Sequence, residues 1–238
     1  MSRSLLVLFS LFFVSFSLLA QEKPRKAARP NIPGSFMIDI GINRGMGKPA
    51  NFKQGAWGSR TLNLYYQYPI RFGRSKFSFN PGIGTSLERW KFTNHYVLAD
   101  TTKDSQQNFL LYPGTTFYKG IKKSMLIANY IEIPLEFRFD TAPEDIARSF
   151  NVAIGGRIGY LFDSKMKVKH HEDGENKILK DKQNMGLNQI RYGVYSRIGI
   201  GAFNLFGFYN LSPLFAKGKG PDQTTMNSLT VGISINGF

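Results

Sequence analysis

The stretch YIEIPLEFRF, Tyr130 to Phe139, alternates at a period of two. Ile131, Ile133, Leu135, Phe137 and Phe139 share one parity. Glu132, Pro134, Glu136 and Arg138 share the other. Such alternation marks a β-strand with one apolar and one polar face. In a soluble barrel the apolar face turns inward. In a membrane barrel it meets lipid, and the polar face lines the interior.

The rest of the chain repeats the pattern. From Ser35 onward eight candidate strands can be counted, around Phe36–Ile42, Leu62–Ile70, Phe77–Leu87, Ile127–Phe139, Val152–Phe162, Ile190–Ile200, Phe203–Leu211 and Leu229–Ile235. Each reaches about the 9–11 residues that a tilted strand needs to cross a bilayer. In Phe203–Leu211 both parities are apolar, so its faces stay unassigned. The connections alternate between long and short. Long ones follow strands one, three, five and seven, the longest being the polar run from Phe92 to Ser124. Short ones, such as FGRS and Gly201-Ala202, fall on the other side with both termini. The expected fold is all-β: an eight-stranded antiparallel transmembrane β-barrel with short periplasmic turns and long extracellular loops.

The 238-residue chain has no cysteine and a formal charge of +15. Arg3 followed by the apolar run Leu5–Leu19 and by Ala20 reads as a cleaved signal peptide over residues 1–20. Residues 21–34, which include EKPRKAARPNIP, read as a flexible periplasmic arm. The barrel is expected over residues 35–238. Export with no cysteine leaves no disulfide to stabilise the fold and no lipoprotein anchor.

Charges on the interior parity need partners, because an unpaired ion in a narrow lumen is costly. The expected lumen network is Glu132, Glu136, Arg138, Arg157, Arg191 and Arg197. If Phe139 pairs with Phe150 across the turn, Glu132 lies opposite Arg157. Pro134 withholds a ladder donor, which predicts irregular pairing beside it. The inward face reads as charged, polar and glycine-rich, without the large apolar side chains of a soluble barrel interior. Phe238 is the expected assembly signal read by the barrel-assembly machinery. Gly237 puts it out of step with Leu229, Val231, Ile233 and Ile235, which a glycine bulge would correct.

The segments from Tyr130 to His170, from Ile190 to Phe215, and KGKGP at Lys217–Pro221 resemble the PorT-like outer-membrane β-barrel family of the Bacteroidetes. The resemblance runs from about Ser35 to Phe238. It implies an eight-stranded barrel in the outer membrane of a Gram-negative bacterium. It also implies a link to type IX secretion, with secretion-system proteins as partners.

No enzyme, cofactor or metal is expected. His170, His171, Glu172, Asp173 and Glu175 lie together in a long loop, but no closed ligand set is visible. His95, Asp100, Asp104 and Ser105 share another loop without a nucleophile motif. Phosphate-loop and dinucleotide fingerprints are missing. Cations crowd the long loops at Lys48, Lys53, Lys119, Lys122, Lys123, Lys169, Lys177, Lys180, Lys182, Lys217 and Lys219. They serve either as solubilising charge or as contacts to outer-membrane lipids, above all the phosphates of lipopolysaccharide. Export argues against a nucleic-acid partner. The expected role is structural or interaction-based, with type IX secretion and a narrow solute channel as alternatives.

Overall fold

The computed structural model of the protein describes residues 34–100 and 109–237. The expected leader, the arm apart from Gly34, and Asp104, Ser105 and Phe238 lie outside the described residues. Along the chain the strands are β1 (Ser35–Met46), β2 (Arg60–Gln67), β3 (Ile70–Arg71), β4 (Phe77–Phe92), β5 (Tyr96–Asp100), β6 (Phe109–Pro113), β7 (Ile121–Asp140), β8 (Phe150–Glu172), β9 (Glu175–Lys182), β10 (Ile190–Ile200), β11 (Phe203–Asn210) and β12 (Asn227–Asn236).

Eight of them close a ring by antiparallel pairing, in the order β10, β11, β12, β1, β2, β4, β7, β8 and back to β10. Closure leaves no free edge to expose unpaired ladder groups where water is scarce. The remaining strands are accessories. β3 extends the short turn beside β4, β9 folds back on β8, and β5 with β6 forms a hairpin among the long connections. The run from Phe92 to Ser124, expected as loop, thus contains that hairpin, a 3-10 turn at Gly114–Thr116 and the start of β7.

Outward residues of the ring are apolar. Ile131, Ile133, Leu135 and Phe137 of β7 face out beside Val152, Ile154 and Ile158 of β8, with Ile154 66% exposed in the isolated chain. β11 now has faces. Phe203, Leu205 and Tyr209 point out, whereas Phe206 and Phe208 are buried inside. The stretch defied a reading by parity because its inner aromatics pack on buried arginines.

β7 has 20 residues and β8 has 23, roughly twice what a crossing requires. In the extension the pattern inverts. Lys165, Lys167 and Lys169 line one parity of β8, while Met166, Val168 and His170 are buried on the other. A bulge accompanies the inversion: Asn129 pairs with Asp163 but Tyr130 pairs with Leu161, so Phe162 is the extra residue. The slip keeps Leu161 and Ser164 on one inner wall although their parities differ.

The interior at this end corrects the expectation of a lumen without large apolar groups. Trp90, Phe92, Leu126, Tyr130, Met166 and Val168 point inward and join one apolar cluster. Phe52, Leu98, Phe109, Met185, Leu214 and Phe215 from the long connections complete it. Here the outward parity of β8 carries lysines in place of apolar side chains, so the apolar groups are buried on the inside.

Pro134 does sit at an interruption: Pro81 pairs with Leu135 and Gly84 with Glu132, with no β4–β7 pair between them. The Glu132–Arg157 register is corrected by two residues. Phe139 pairs with Val152, so Glu132 lies opposite Gly159 and Arg157 opposite Pro134. The turn from Asp140 to Phe150 closes through Thr141 and Ser149, with Thr141 N–H donating to Phe150 C=O at 3.0 Å, so Phe150 faces Thr141 rather than Phe139.

Candidate functional site

The buried centre of the ring is a chain of ions threaded from strand to strand. Starting nearest the long connections, Arg191 Nη1 donates to Glu88 Oε1 at 2.6 Å. Its Nε donates to Glu132 Oε1 at 2.7 Å. The other oxygen of Glu132 accepts from the Tyr65 hydroxyl. That hydroxyl accepts in turn from Arg157 Nη1 at 2.9 Å. Arg157 Nη2 donates to Asp39 Oδ2 at 3.2 Å, and Arg197 Nη2 donates to the same oxygen at 3.0 Å. Arg197 ends the run on Glu136, which also accepts from Asn80 Nδ2 at 3.4 Å.

Local sequence makes this packing possible. Glu132, Gly159 and Arg191 share one rung across β7, β8 and β10. A Cβ on Gly159 would stand 3.0 Å from Glu132 Cγ and 3.2 Å from Arg191 Cγ. Only the missing side chain lets the pair meet over the strand between them. Likewise a Cβ on Gly193 would fall 2.7 Å from the Phe208 ring, which packs over it.

Aromatic faces cover the guanidiniums. Arg157 lies 4.5 Å from the Phe208 centroid and 4.6 Å from that of Tyr195. Arg191 stands 3.9 Å from Tyr130. Ring quadrupoles attract cations most where water is excluded. A neutral layer adjoins: Asn63 Nδ2 donates to Asp39 at 3.3 Å, and Ser86 Oγ donates to Asn63 Oδ1 at 2.6 Å.

Of the residues expected in the network, Glu132, Glu136, Arg157, Arg191 and Arg197 are brought together. Glu132 and Arg157 approach to 4.0 Å despite the corrected register. Arg138 is not among them. It bonds Asp140 at 3.0 Å beside a cavity of about 310 Å³ at the short-turn end, lined also by Gln67, Arg71 and Asn80. Sequence reasoning passed over Asp39 and Glu88. Each is the lone acid on the inner parity of its strand, a signal that was present. Tyr65 shares the inward parity of Asn63 and Gln67, but Phe206 and Phe208 gave no signal, since both parities of their strand are apolar.

Of the candidates from His170 to Glu175, His170, Glu172 and Asp173 are held in ion pairs on the β8–β9 hairpin. His170 Nε2 lies 3.6 Å from Glu172, while Lys177 takes Glu172 and Asp173 at 3.2 Å each. Among the described residues no three His, Asp or Glu are placed to hold a metal. Gly237, expected at a bulge, has a positive φ of 95° and donates to Phe36 C=O at 3.1 Å.

Among curated proteins none matches the chain. Several solved structures are similar to it, among them the two that follow. The attachment invasion locus protein Ail of Yersinia pestis, in complex with the heparin analogue sucrose octasulfate, shares 12% identity at a TM-score of 0.34, covering 87% of this chain and 100% of its own. Neisserial surface protein A shares 10% identity at a TM-score of 0.34, covering 86% of this chain and 97% of its own. The model of the outer membrane protein beta-barrel domain matches residues 20–216, most of the sequence. The chain belongs to that family and is an integral outer-membrane β-barrel protein.

Proposed function

We propose that the protein is a closed, non-enzymatic barrel that works as a structural and interaction protein, with its long connections outside the cell. The observation that carries this reading is the ion chain from Glu88 to Glu136, buried across the lumen beneath an apolar cap. An eight-stranded ring holds little more than its own side chains. A conducting path would need a continuous file of water, and paired guanidiniums stacked on aromatics occupy that space. A buried ion network also holds strands in one register, a role for which unique pairing is the return. Single-channel recording in planar bilayers tests this. The expected trace is flat. Steady unitary steps from the wild-type protein would sink the reading in favour of a narrow solute channel.

A second reading follows from the sequence resemblance in Tyr130–His170 and Ile190–Phe215: a PorT-like component of type IX secretion, with secretion-system proteins as partners. The secreted proteome of a deletion strain decides it. Cargo trapped in the periplasm supports that role, and unchanged secretion removes it. Insertion through Phe238 and the barrel-assembly machinery belongs to either reading.

A further inference from the structure

Above the apolar belt, the outward wall of β2, β4, β7, β8 and β9 is cationic in successive rungs. One rung runs Arg60, Arg89, Ile127, Lys165, Lys182. The next runs Lys91, Met125, Lys167, Lys180. A third pairs Lys123 with Lys169. Four direct cross-strand pairs are therefore like-charged: Arg60–Arg89, Lys123–Lys169, Lys165–Lys182 and Lys167–Lys180. Like charges placed opposite each other weaken a sheet.

Within the protein little offsets them. Asp163, at the lower edge, bonds Lys165 at 2.6 Å. Among the described residues, no carboxylate lies within ion-pair distance of the other eight cations. Partial burial, then the fields of Lys91, Lys167, Arg60 and Arg89, hold the Lys123 pKa below its ordinary value.

The depth of the patch is fixed by the rungs beneath it. Leu62, Leu87, Asn129 and Asp163 form the next rung down. Leu64, Thr85, Ile131 and Tyr160 follow, within the lipid-facing belt. Successive rungs on one face are about 7 Å apart, so the cations stand at head-group level. Trp57 is 83% exposed beside Gly58, whose Cβ position would be 2.4 Å from Lys91 Cδ. An exposed indole at that height suits a membrane interface.

We propose that this wall is a docking surface for a glycolipid of the outer leaflet that carries more than one phosphate, of the lipopolysaccharide class. Phosphates spaced on one head group would bridge the opposed lysines and turn their repulsion into shared attraction. The proposal rests on the reading that the long connections face outward.

The test titrates purified protein in neutral detergent with bis-phosphorylated lipid A, dephosphorylated lipid A and inorganic phosphate, reading retained lipid by native mass spectrometry. The comparison variant carries Lys165→Gln, Lys167→Gln, Lys180→Gln and Lys182→Gln. Phosphorylated lipid A is expected to bind the variant at least about tenfold more weakly. Dephosphorylated lipid is expected to bind the wild type just as weakly, and inorganic phosphate not to displace lipid at equal concentration. The variant removes two like-charge pairs, so its thermal midpoint in detergent should equal or exceed that of the wild type. Equal affinity for both lipids, equal affinity in both proteins, or full displacement by inorganic phosphate would overturn the proposal. A failure of the barrel reading would show separately, as electrophoretic mobility that heating does not shift.

Discussion

Asp39 of β1 is shared by two arginines, Arg157 of β8 at 3.2 Å and Arg197 of β10 at 3.0 Å. One carboxylate on one strand thus joins two strands on the far side of the ring. Losing one partner of a buried pair strands the other charge, at a cost of about 3–5 kcal/mol. Asp39→Ala is therefore expected to lower stability by about that amount, and Asp39→Asn by less because it still accepts a hydrogen bond. Urea unfolding in lipid vesicles measures both. A change below about 1 kcal/mol for the alanine variant would show that the guanidiniums find other acceptors.

Glu132 touches two arginines unequally. Arg191 Nη2 lies 2.6 Å away and Arg157 Nη1 lies 4.0 Å away, with the Tyr65 hydroxyl between Arg157 and the carboxylate. Double-mutant cycles with Glu132→Gln should give a coupling near 2–3 kcal/mol with Arg191→Gln. The coupling with Arg157→Gln should be about half that. The reverse order would mean that β7 and β8 pair as the sequence alone suggested, with Glu132 opposite Arg157.

Much of this molecule is legible in its sequence, and the reasons are physical. A ring with lipid outside and ions inside must alternate at a period of two, so Tyr130–Phe139 declares both faces. The side of the long connections also follows from their lengths. The site is only half legible. Arg157, Arg191 and Arg197 stand out as cations on an apolar strand, but which acid each meets depends on register. Register hung on the Asp140–Phe150 turn, where side-chain bonds from Thr141 and Ser149 reset the first rungs. The apolar interior above the membrane was hidden for another reason. Past the bulge at Phe162 the outward parity of the wall changes from apolar to cationic, and the meaning of each parity changes with it.

Phe208 and Phe203 lie on one strand and separate these environments. Phe208 is buried, 4.5 Å from Arg157 and 5.8 Å from Arg191. Phe203 is 70% exposed on the lipid side. Phe208→Leu should cost about 2 kcal/mol through lost cation–ring attraction and a small void. Phe203→Leu should stay within about 0.5 kcal/mol, since lipid receives either side chain. Equal effects in the same unfolding assay would contradict the face assignment of β11.

The apolar cap should fail independently of the ring. Phe52, in the β1–β2 connection, meets Phe92 edge-on at 4.9 Å, Trp90 at 6.0 Å and Phe215 at 6.4 Å. Phe215 comes from the β11–β12 connection, so this one ring ties two long connections to the wall. Phe52→Ala would leave a cavity costing about 3–5 kcal/mol if the cap and ring unfolded together. The ring, however, is closed lower down by its own ladder and ion chain, and Phe52 meets it only at the end of β4, at Trp90 and Phe92. The loss should therefore appear locally, as faster protease cleavage between residues 46 and 60 and between 211 and 226. The heat-dependent mobility shift of the barrel should be unchanged. If the variant instead loses that shift, the cap and the ring form one cooperative unit, and the ion chain alone does not hold the strands closed.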